Sequence, residues 1–448
     1  MKGFEHIQNV YFIGIGGIGM SALAHYFYTN GKRVSGYDRT PGVMTTQLQT
    51  LGLTVRFKDD FDSIPEEFKD KERTLVVYTP AIPVQHGELV RFRESGFTLK
   101  KRAEVLGMIT RGVPCLAVAG THGKTTTSCL LGHLLAETGA PVTAFLGGVA
   151  ANYQSNLINK GNEVVVVEAD EFDRSFLHLD PTIACITSMD ADHLDIYGSA
   201  EALTQTFEAF SKRVPETGHL LIKKGLPLQG HTVAVGEAAD FSAQNIRIEE
   251  GHYVFDLHYP QGKLENLVIS LPGRHNLFNA AIALGMAIVY GSPPDRLPEA
   301  LSSFKGIHRR FNLVIQTEDR VVIDDYAHHP TEIDAVHDAV REWYPEDRLL
   351  AVFQPHLYSR TRDFMEGFAQ SLSRFDEVWL MDIYPAREEP IPGIHSEALL
   401  QELTVTNKTM ITKETLRERL EDNACRVQVI MGAGDIGACV EELKAMQL

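Results

Sequence analysis

Short runs of β-branched and apolar residues alternate along the chain with longer stretches of helical periodicity. Near the N-terminus, NVYFIGIGGIGMSALAHYF reads as strand, glycine turn and helix. VPCLAVA reads as a buried strand, and TTTSCLLGHLLAETG as a helix with Leu130, Leu131, Leu134 and Leu135 on one face, stopping at Gly139. NEVVVVEAD and IACITSM follow as strands, and Gly230 to Leu271 as alternating short strands and turns. RVVID, RLLAVF, EVWLMDIY and RVQVIM are further strands, mostly followed by helices. Such alternation predicts an α/β fold with mainly parallel sheets. The pattern restarts twice, so three domains are expected, at 1–110, 111–305 and 306–448.

Composition narrows the class. A chain of 448 residues is too long for one core and suits about three domains. A net charge of −17 argues against broad binding to nucleic acid or an anionic membrane, so anionic ligands need local donors or metal ions. The five cysteines are scattered without C-x-x-C spacing, which suits reduced thiols rather than disulfides or zinc. No apolar run reaches about 18 residues, and the N-terminus is broken by charge and glycine, unlike a signal peptide. A cytoplasmic enzyme is expected.

The chemistry concentrates where strands end. In AVAGTHGKTTT the usual G-x-x-x-x-G-K-[ST] spacing would place glycine at 118, where this chain has Val118. Gly120 and Gly123 still let the backbone approach an anion, Lys124 can reach outer phosphates, and a Thr125 or Thr126 hydroxyl can ligate Mg²⁺. The loop therefore reads as a shortened phosphate loop. Downstream, VVVVEADEFD delivers Glu168 and Asp170 to a strand end, and DADHLD supplies Asp190, Asp192, His193 and Asp195. Glu168 and His193 are the metal candidates; Glu171 and Asp173, beyond the strand end, read as a solvated turn.

GIGGIG, Gly14 to Gly19, fits G-x-G-x-x-G after a strand, with Asp38 downstream. It promises a diphosphate at a helix N-terminus, which NAD or a UDP moiety satisfies equally. GAGDIG, Gly432 to Gly437, repeats the spacing and reads equally as turn or ligand contact. DDYAHHP and FQPHLYSRTR place His328, His356, Arg360 and Arg362 at two further strand ends, and Pro330 suits a helix start.

In combination these segments resemble the Mur ligases, within them the members that act on UDP-N-acetylmuramate and L-alanine. GIGGIGMSA, GTHGKTTT, VEADE, DADHLD, LPGRHNLFNA, RRF, DDYAHHPTEI, FQPH, DIYPAREEPIPG and GAGDIG occur in the family's order over nearly the whole chain. The resemblance implies a Rossmann-like N-terminal domain for the UDP-sugar, a central P-loop ATPase-like domain, and a Rossmann-like C-terminal domain for ATP and the amino acid. It implies ATP as co-substrate and two Mg²⁺ ions, with Mn²⁺ as the alternative. By resemblance, Gly120, Thr121, His122, Gly123, Lys124, Thr125 and Thr126 hold the phosphates, with Asn276, Asn279, Arg310 and Asp325 as further nucleotide contacts. Thr125, Glu168 and His193 ligate metal. Gly16, Gly17, Ile18, Gly19 and Asp38 hold the UDP-sugar, while Tyr326, His328, His356 and Arg360 line the amino-acid pocket. Lys124, Glu168, His193, His328 and Arg360 are the expected catalytic set. Partners are the two small-molecule substrates, with no nucleic acid or membrane, and the choice between monomer and homodimer stays open.

Two positions depart from the family pattern. Leu357 stands where arginine commonly follows FQPH, leaving Arg360 to bind the amino-acid carboxylate. Ser188 stands where asparagine often precedes DADH. A carbamylated lysine, used by several relatives, has no assignable counterpart. A peptide-recycling ligase that adds a tripeptide is the nearest alternative, and an NAD(P)-dependent Rossmann oxidoreductase a more distant one.

Overall fold

The computed structural model describes residues 3–192, 194–386 and 388–445. Three mainly parallel sheets carry the α/β fold that the alternation predicts. In the first, the spatial order is Thr54–Arg56, Arg33–Tyr37, Asn9–Ile13, Thr74–Tyr78 and Thr98–Lys101, all parallel. Asn9–Ile13 is buried throughout because helices cover both faces: Val10 and Phe12 pack toward Phe27, while Tyr11 and Ile13 pack toward Phe92.

The second sheet has ten strands. Its inner part runs His219–Lys223, Ile183–Ile186, Cys115–Ala119, Val164–Glu168 and Val142–Ala150, all parallel. Ser155–Asn159 closes one edge antiparallel, and the strands between His231 and Ile269 extend the other. The third sheet runs Asn312–Gln316, Val321–Asp325, Val427–Met431, Leu349–Phe353, Glu377–Leu380 and Asn407–Met410, parallel except for its first strand.

By contact density the chain forms two units. One comprises Met1–Gln244, Leu257–Glu265 and Asn279–Lys305; the other comprises Asn245–Asp256, Asn266–Phe278 and Gly306–Leu448. The first sheet-bearing segment and most of the second thus fall in one unit. Among the described residues, no helix is long and apolar enough to cross a membrane. All five cysteines are free, and four are buried.

Candidate active site

The phosphate loop starts later than the common spacing allows because Val118 is still inside the strand. Cys115–Ala119 is fully buried, with Val118 opposite Glu168 on one neighbour and Ala119 opposite Ile186 on the other. The turn begins at Gly120, whose φ is +130°, and a Cβ there would lie 2.1 Å from Thr187 Oγ1. Glycine alone fits. Gly123, at φ +83°, caps the helix Lys124–Glu137, and a Cβ there would meet Asn279 Oδ1 at 2.5 Å. Side chains brace the loop: Thr121 Oγ1 donates to the Asp190 carbonyl at 2.8 Å, and the His122 amide donates to Ser188 Oγ at 2.8 Å. Ser188 thus serves as a loop support. No acidic residue occupies the first turn of the helix, and Thr125 and Thr126 are buried there. That leaves an N-terminus suited to an anion.

Lys124 is held from three directions. Its Nζ donates to the Gly120 carbonyl at 2.7 Å, the Thr121 carbonyl at 3.1 Å and Glu171 Oε1 at 2.9 Å. Glu171 is therefore not in a solvated turn as expected: it is fully buried. The cause is local backbone geometry, since Asp173 and Arg174 both adopt left-handed φ, 53° and 54°, and the chain folds back so that the Phe176 amide reaches the Asp170 carbonyl. Asp173 does stay at the surface, 3.2 Å from Lys101. Burial opposes both charges of the Lys124–Glu171 pair and raises the Glu171 carboxyl; for Lys124 the attraction of Glu171, Asp170 and Glu168 outweighs burial and raises its pKa. The ammonium stays charged.

Glu168 ends its strand with Oε2 accepting from the Gly147 amide at 3.1 Å. A Cβ on Gly147 would lie 2.2 Å from that oxygen, so glycine makes the cradle for the carboxylate. Among the described residues, no three His, Cys, Asp or Glu side chains converge to hold a metal unaided. The Glu168 carboxylate and Thr125 hydroxyl are hard oxygen donors, which fits Mg²⁺ shared with substrate phosphates rather than a resident protein-only cage. His193, the expected ligand of a second ion, lies outside the described residues.

The GIGGIG turn leads into the helix Ile18–Thr29, and Asp38 is committed to the backbone around it. Its Oδ2 accepts from the Gly16 amide at 2.7 Å and its Oδ1 from the Arg39 amide at 2.8 Å. Arg102, which the motifs did not single out, lies beside this turn: a Cβ on Gly19 would be 2.9 Å from its Nη1. Its Nη2 is 3.6 Å from Asp170, and Arg102, Leu106, Glu168, Asp170 and Phe176 line one narrow cleft. A cation and the metal-candidate carboxylate share that cleft.

In the second unit, Tyr326 is flanked by two guanidinium groups, Arg309 at 5.1 Å and Arg310 at 5.2 Å from its ring centre. His328 Nδ1 faces both the Tyr326 carbonyl at 2.9 Å and Glu332 Oε2 at 3.2 Å. Two acceptors require Nδ1 to carry the proton. Glu332, another residue the motif reading passed over, also accepts from the His328 amide at 2.9 Å. The His328 and His356 rings lie 6.2 Å apart, and His356 stacks on Tyr384 at 5.7 Å. Arg360 is buried, in a helix that follows Leu357; Leu357 is itself buried at φ +71°, so its side chain offers no substitute for a cation. Asn276 Nδ2 donates to the Pro272 carbonyl at 2.7 Å. The GAGDIG turn is filled by protein groups: a Cβ on Gly434 would meet Gln354 Oε1 at 2.4 Å, and one on Gly437 would meet Arg309 at 2.5 Å. Packing explains those glycines.

Asp325 clamps the turn before it. Its Oδ2 accepts from the Phe311 amide and its Oδ1 from the Ala327 amide, both at 2.7 Å, and Arg309 and Phe311 in that turn have positive φ. Burial pushes its carboxyl up to about 6, against the opposing pull of Arg310 and the two amides. Between the ordinary value of 3.8 and about 6 the native protein holds a proton that the unfolded chain has released. This contribution to stability is full below that window and is lost as pH rises through about 6. In Asp325→Asn the contribution disappears. The wild-type-minus-variant unfolding free energy, from urea titrations, should fall by roughly 2–3 kcal/mol between about pH 4 and pH 7. A pH-independent difference would refute this assignment.

Family models match three consecutive segments: Mur ligase family, catalytic domain, over residues 9–113; Mur ligase middle domain over 118–287; and Mur ligase, glutamate ligase domain, over 309–436. A UDP-N-acetylmuramate–L-alanine ligase of Christiangramia forsetii is 58% identical over 445 residues, spanning 99% of this chain and 98% of its own length. One from Flavobacterium johnsoniae is 55% identical over 442 residues, with 99% and 98% covered. Among solved structures, the UDP-N-acetylmuramate–alanine ligase of Thermotoga maritima superposes with a TM-score of 0.81 at 26% identity, covering 98% of this chain and 99% of that one. A murein peptide ligase from Psychrobacter arcticus gives 0.72 at 23% identity, with 98% of both chains covered, a likeness of fold alone.

Proposed function

The chain belongs to the Mur ligase family, and from that premise we propose that it joins L-alanine to the lactyl carboxylate of UDP-N-acetylmuramate, with ATP as the energy source. It is an ATP-dependent ligase. The observation that carries the reading is the pre-formed phosphate loop, with partly buried Lys124 one strand away from the cradled carboxylate of Glu168. The relatives at 55–58% identity are named for the same two substrates.

A carboxylate oxygen of the sugar attacks the γ-phosphorus, ADP leaves, and an acyl phosphate forms. The alanine amine then adds to the acyl carbon, and inorganic phosphate departs with the original carboxylate oxygen. Two anions must meet in the first step, so positive charge and aligned donors are the main need. Lys124 and the amides of the Gly120–Lys124 turn meet it for the nucleotide. A Mg²⁺ ion held by Thr125 and Glu168 would neutralise phosphate charge there. By the family resemblance, Asn276, Asn279, Arg310 and Asp325 are further nucleotide contacts. Gly16, Gly17, Ile18, Gly19 and Asp38 form the UDP-sugar turn. Arg360 pairs with the alanine carboxylate beside Tyr326 and His356, while His328 accepts the ammonium proton. Domain limits near residues 110 and 305 and a cytoplasmic site, suited to the free thiols, belong to the same proposal.

The test is phosphate release and mass spectrometry with UDP-N-acetylmuramate, ATP and either L-alanine or a tripeptide. Release that requires both the UDP-sugar and L-alanine, with one alanine residue added to the UDP product, is expected. Release independent of either would sink the ligase reading, and a tripeptide product would assign the peptide-recycling activity instead. A nicotinamide-dependent oxidoreductase gives the Lys124–Glu171 pair and the Glu168 cradle no task.

Gly147→Ala probes the Glu168 cradle. The residue lies in a strand without positive φ, so alanine suits the backbone and only the carboxylate must move. The Mg²⁺ concentration for half-maximal activity should rise about tenfold or more with melting temperature nearly unchanged. An unaltered Mg²⁺ dependence would remove Glu168 from the metal site.

A further inference from the structure

Resting on the ATP-ligase reading, we propose that Glu171 is a positioning residue for phosphoryl transfer, one that parks the Lys124 ammonium inside the phosphate loop until ATP displaces it. An ammonium has three N–H donors. Lys124 has three acceptors for them: the carbonyls of Gly120 and Thr121 and the Glu171 carboxylate. A phosphate oxygen can be engaged only if one of these contacts is released. The two carbonyls belong to the loop, three and four residues before the lysine, and turn with it. Glu171 belongs to a different segment, fixed by the Tyr197 hydroxyl on its own carbonyl oxygen and by Arg174 lying 5.9 Å from the Tyr197 ring centre. The carboxylate is the partner that Lys124 leaves.

The pair has two consequences. Between the lysine and the fully buried Glu171, it supplies each charge with a counter-ion, avoiding an uncompensated carboxylate in the interior. With ATP, the same contact competes with the phosphates, so its strength is subtracted from nucleotide affinity. Glu171 therefore sets how tightly ATP is held before the sugar carboxylate arrives. A residue that merely filled space would stabilise the free and bound forms alike.

The experiment measures binding of a non-hydrolysable ATP analogue with Mg²⁺ by calorimetry, alongside melting temperatures with and without the analogue. It uses the full chain, wild type, Glu171→Gln and Glu171→Asp. The Gln side chain keeps one acceptor but no charge; Asp keeps the charge but withdraws it by one methylene. Both variants should bind the analogue more tightly, Gln by about fivefold or more and Asp by less. Their melting temperatures should drop without the analogue and recover with it. Should Glu171→Gln fail to fold, Glu171→Asp alone decides the direction. Equal or weaker binding, with melting temperatures lowered in parallel, would overturn the proposal. Absence of analogue binding by wild type would instead sink the ATP-ligase reading.

Discussion

Replacing Lys124 by methionine is expected to lower kcat for phosphate release about 10³-fold while leaving the fold intact. Methionine keeps the length and apolar stem of lysine, so the buried volume beside Gly120 stays filled. It removes the ammonium that the proposal assigns to the transferring phosphate, and loss of a single well-placed donor at a developing charge costs roughly 10²–10³ in rate. The change also strips Glu171 of its counter-ion. Because Glu171 is fully buried, its carboxyl then takes up a proton, and the variant loses stability as pH rises. Adding Glu171→Gln should restore the melting temperature at neutral pH but not the rate. Rate loss and stability loss therefore separate in the double variant, and recovery of both together would show that Lys124 acts only through folding.

Glu168→Gln should be nearly as damaging, with kcat/KM for ATP down about 10²-fold or more. Glutamine can still accept the Gly147 amide proton, so the strand end keeps its hydrogen bond. What disappears is the negative charge that a hard divalent cation requires. The loss should be partly recovered at high Mg²⁺, whereas the loss in Lys124→Met should not be. If Glu168→Gln shows wild-type Mg²⁺ dependence, the ion is held elsewhere.

Much of the fold was legible because both sequence signals are local. Apolar β-branched runs such as VVVVE and LLAVF end up between neighbouring parallel strands, and glycines mark the turns that follow them. The edge strands Asn312–Gln316 and Asn407–Met410 escaped notice because they are only partly buried and lack that signature. At the site, the glycines of GTHGKTTT were readable from covalent geometry alone, since a turn that tight admits nothing larger at Gly120. Glu171 was not. Its burial depends on left-handed backbone at Asp173 and Arg174, residues that carry no glycine signal, and on a lysine 47 positions away. Arg102 and Glu332 were missed for a related reason: each matters through a neighbour distant in sequence or one helical turn on, Asp170 for the first and His328 for the second. Asp325 was read at a strand end and Asp38 downstream of the GIGGIG turn, but the amides that claim their oxygens become visible only in three dimensions.

The central claim is that the γ-phosphate passes to a carboxylate before the amide bond forms. UDP-N-acetylmuramate labelled with ¹⁸O in its lactyl carboxylate, incubated with ATP, Mg²⁺ and L-alanine, tests it through the mass of the released inorganic phosphate. One ¹⁸O atom per phosphate is expected, carried over from the carboxylate. Phosphate free of label, with its new oxygen drawn from water, would contradict the account.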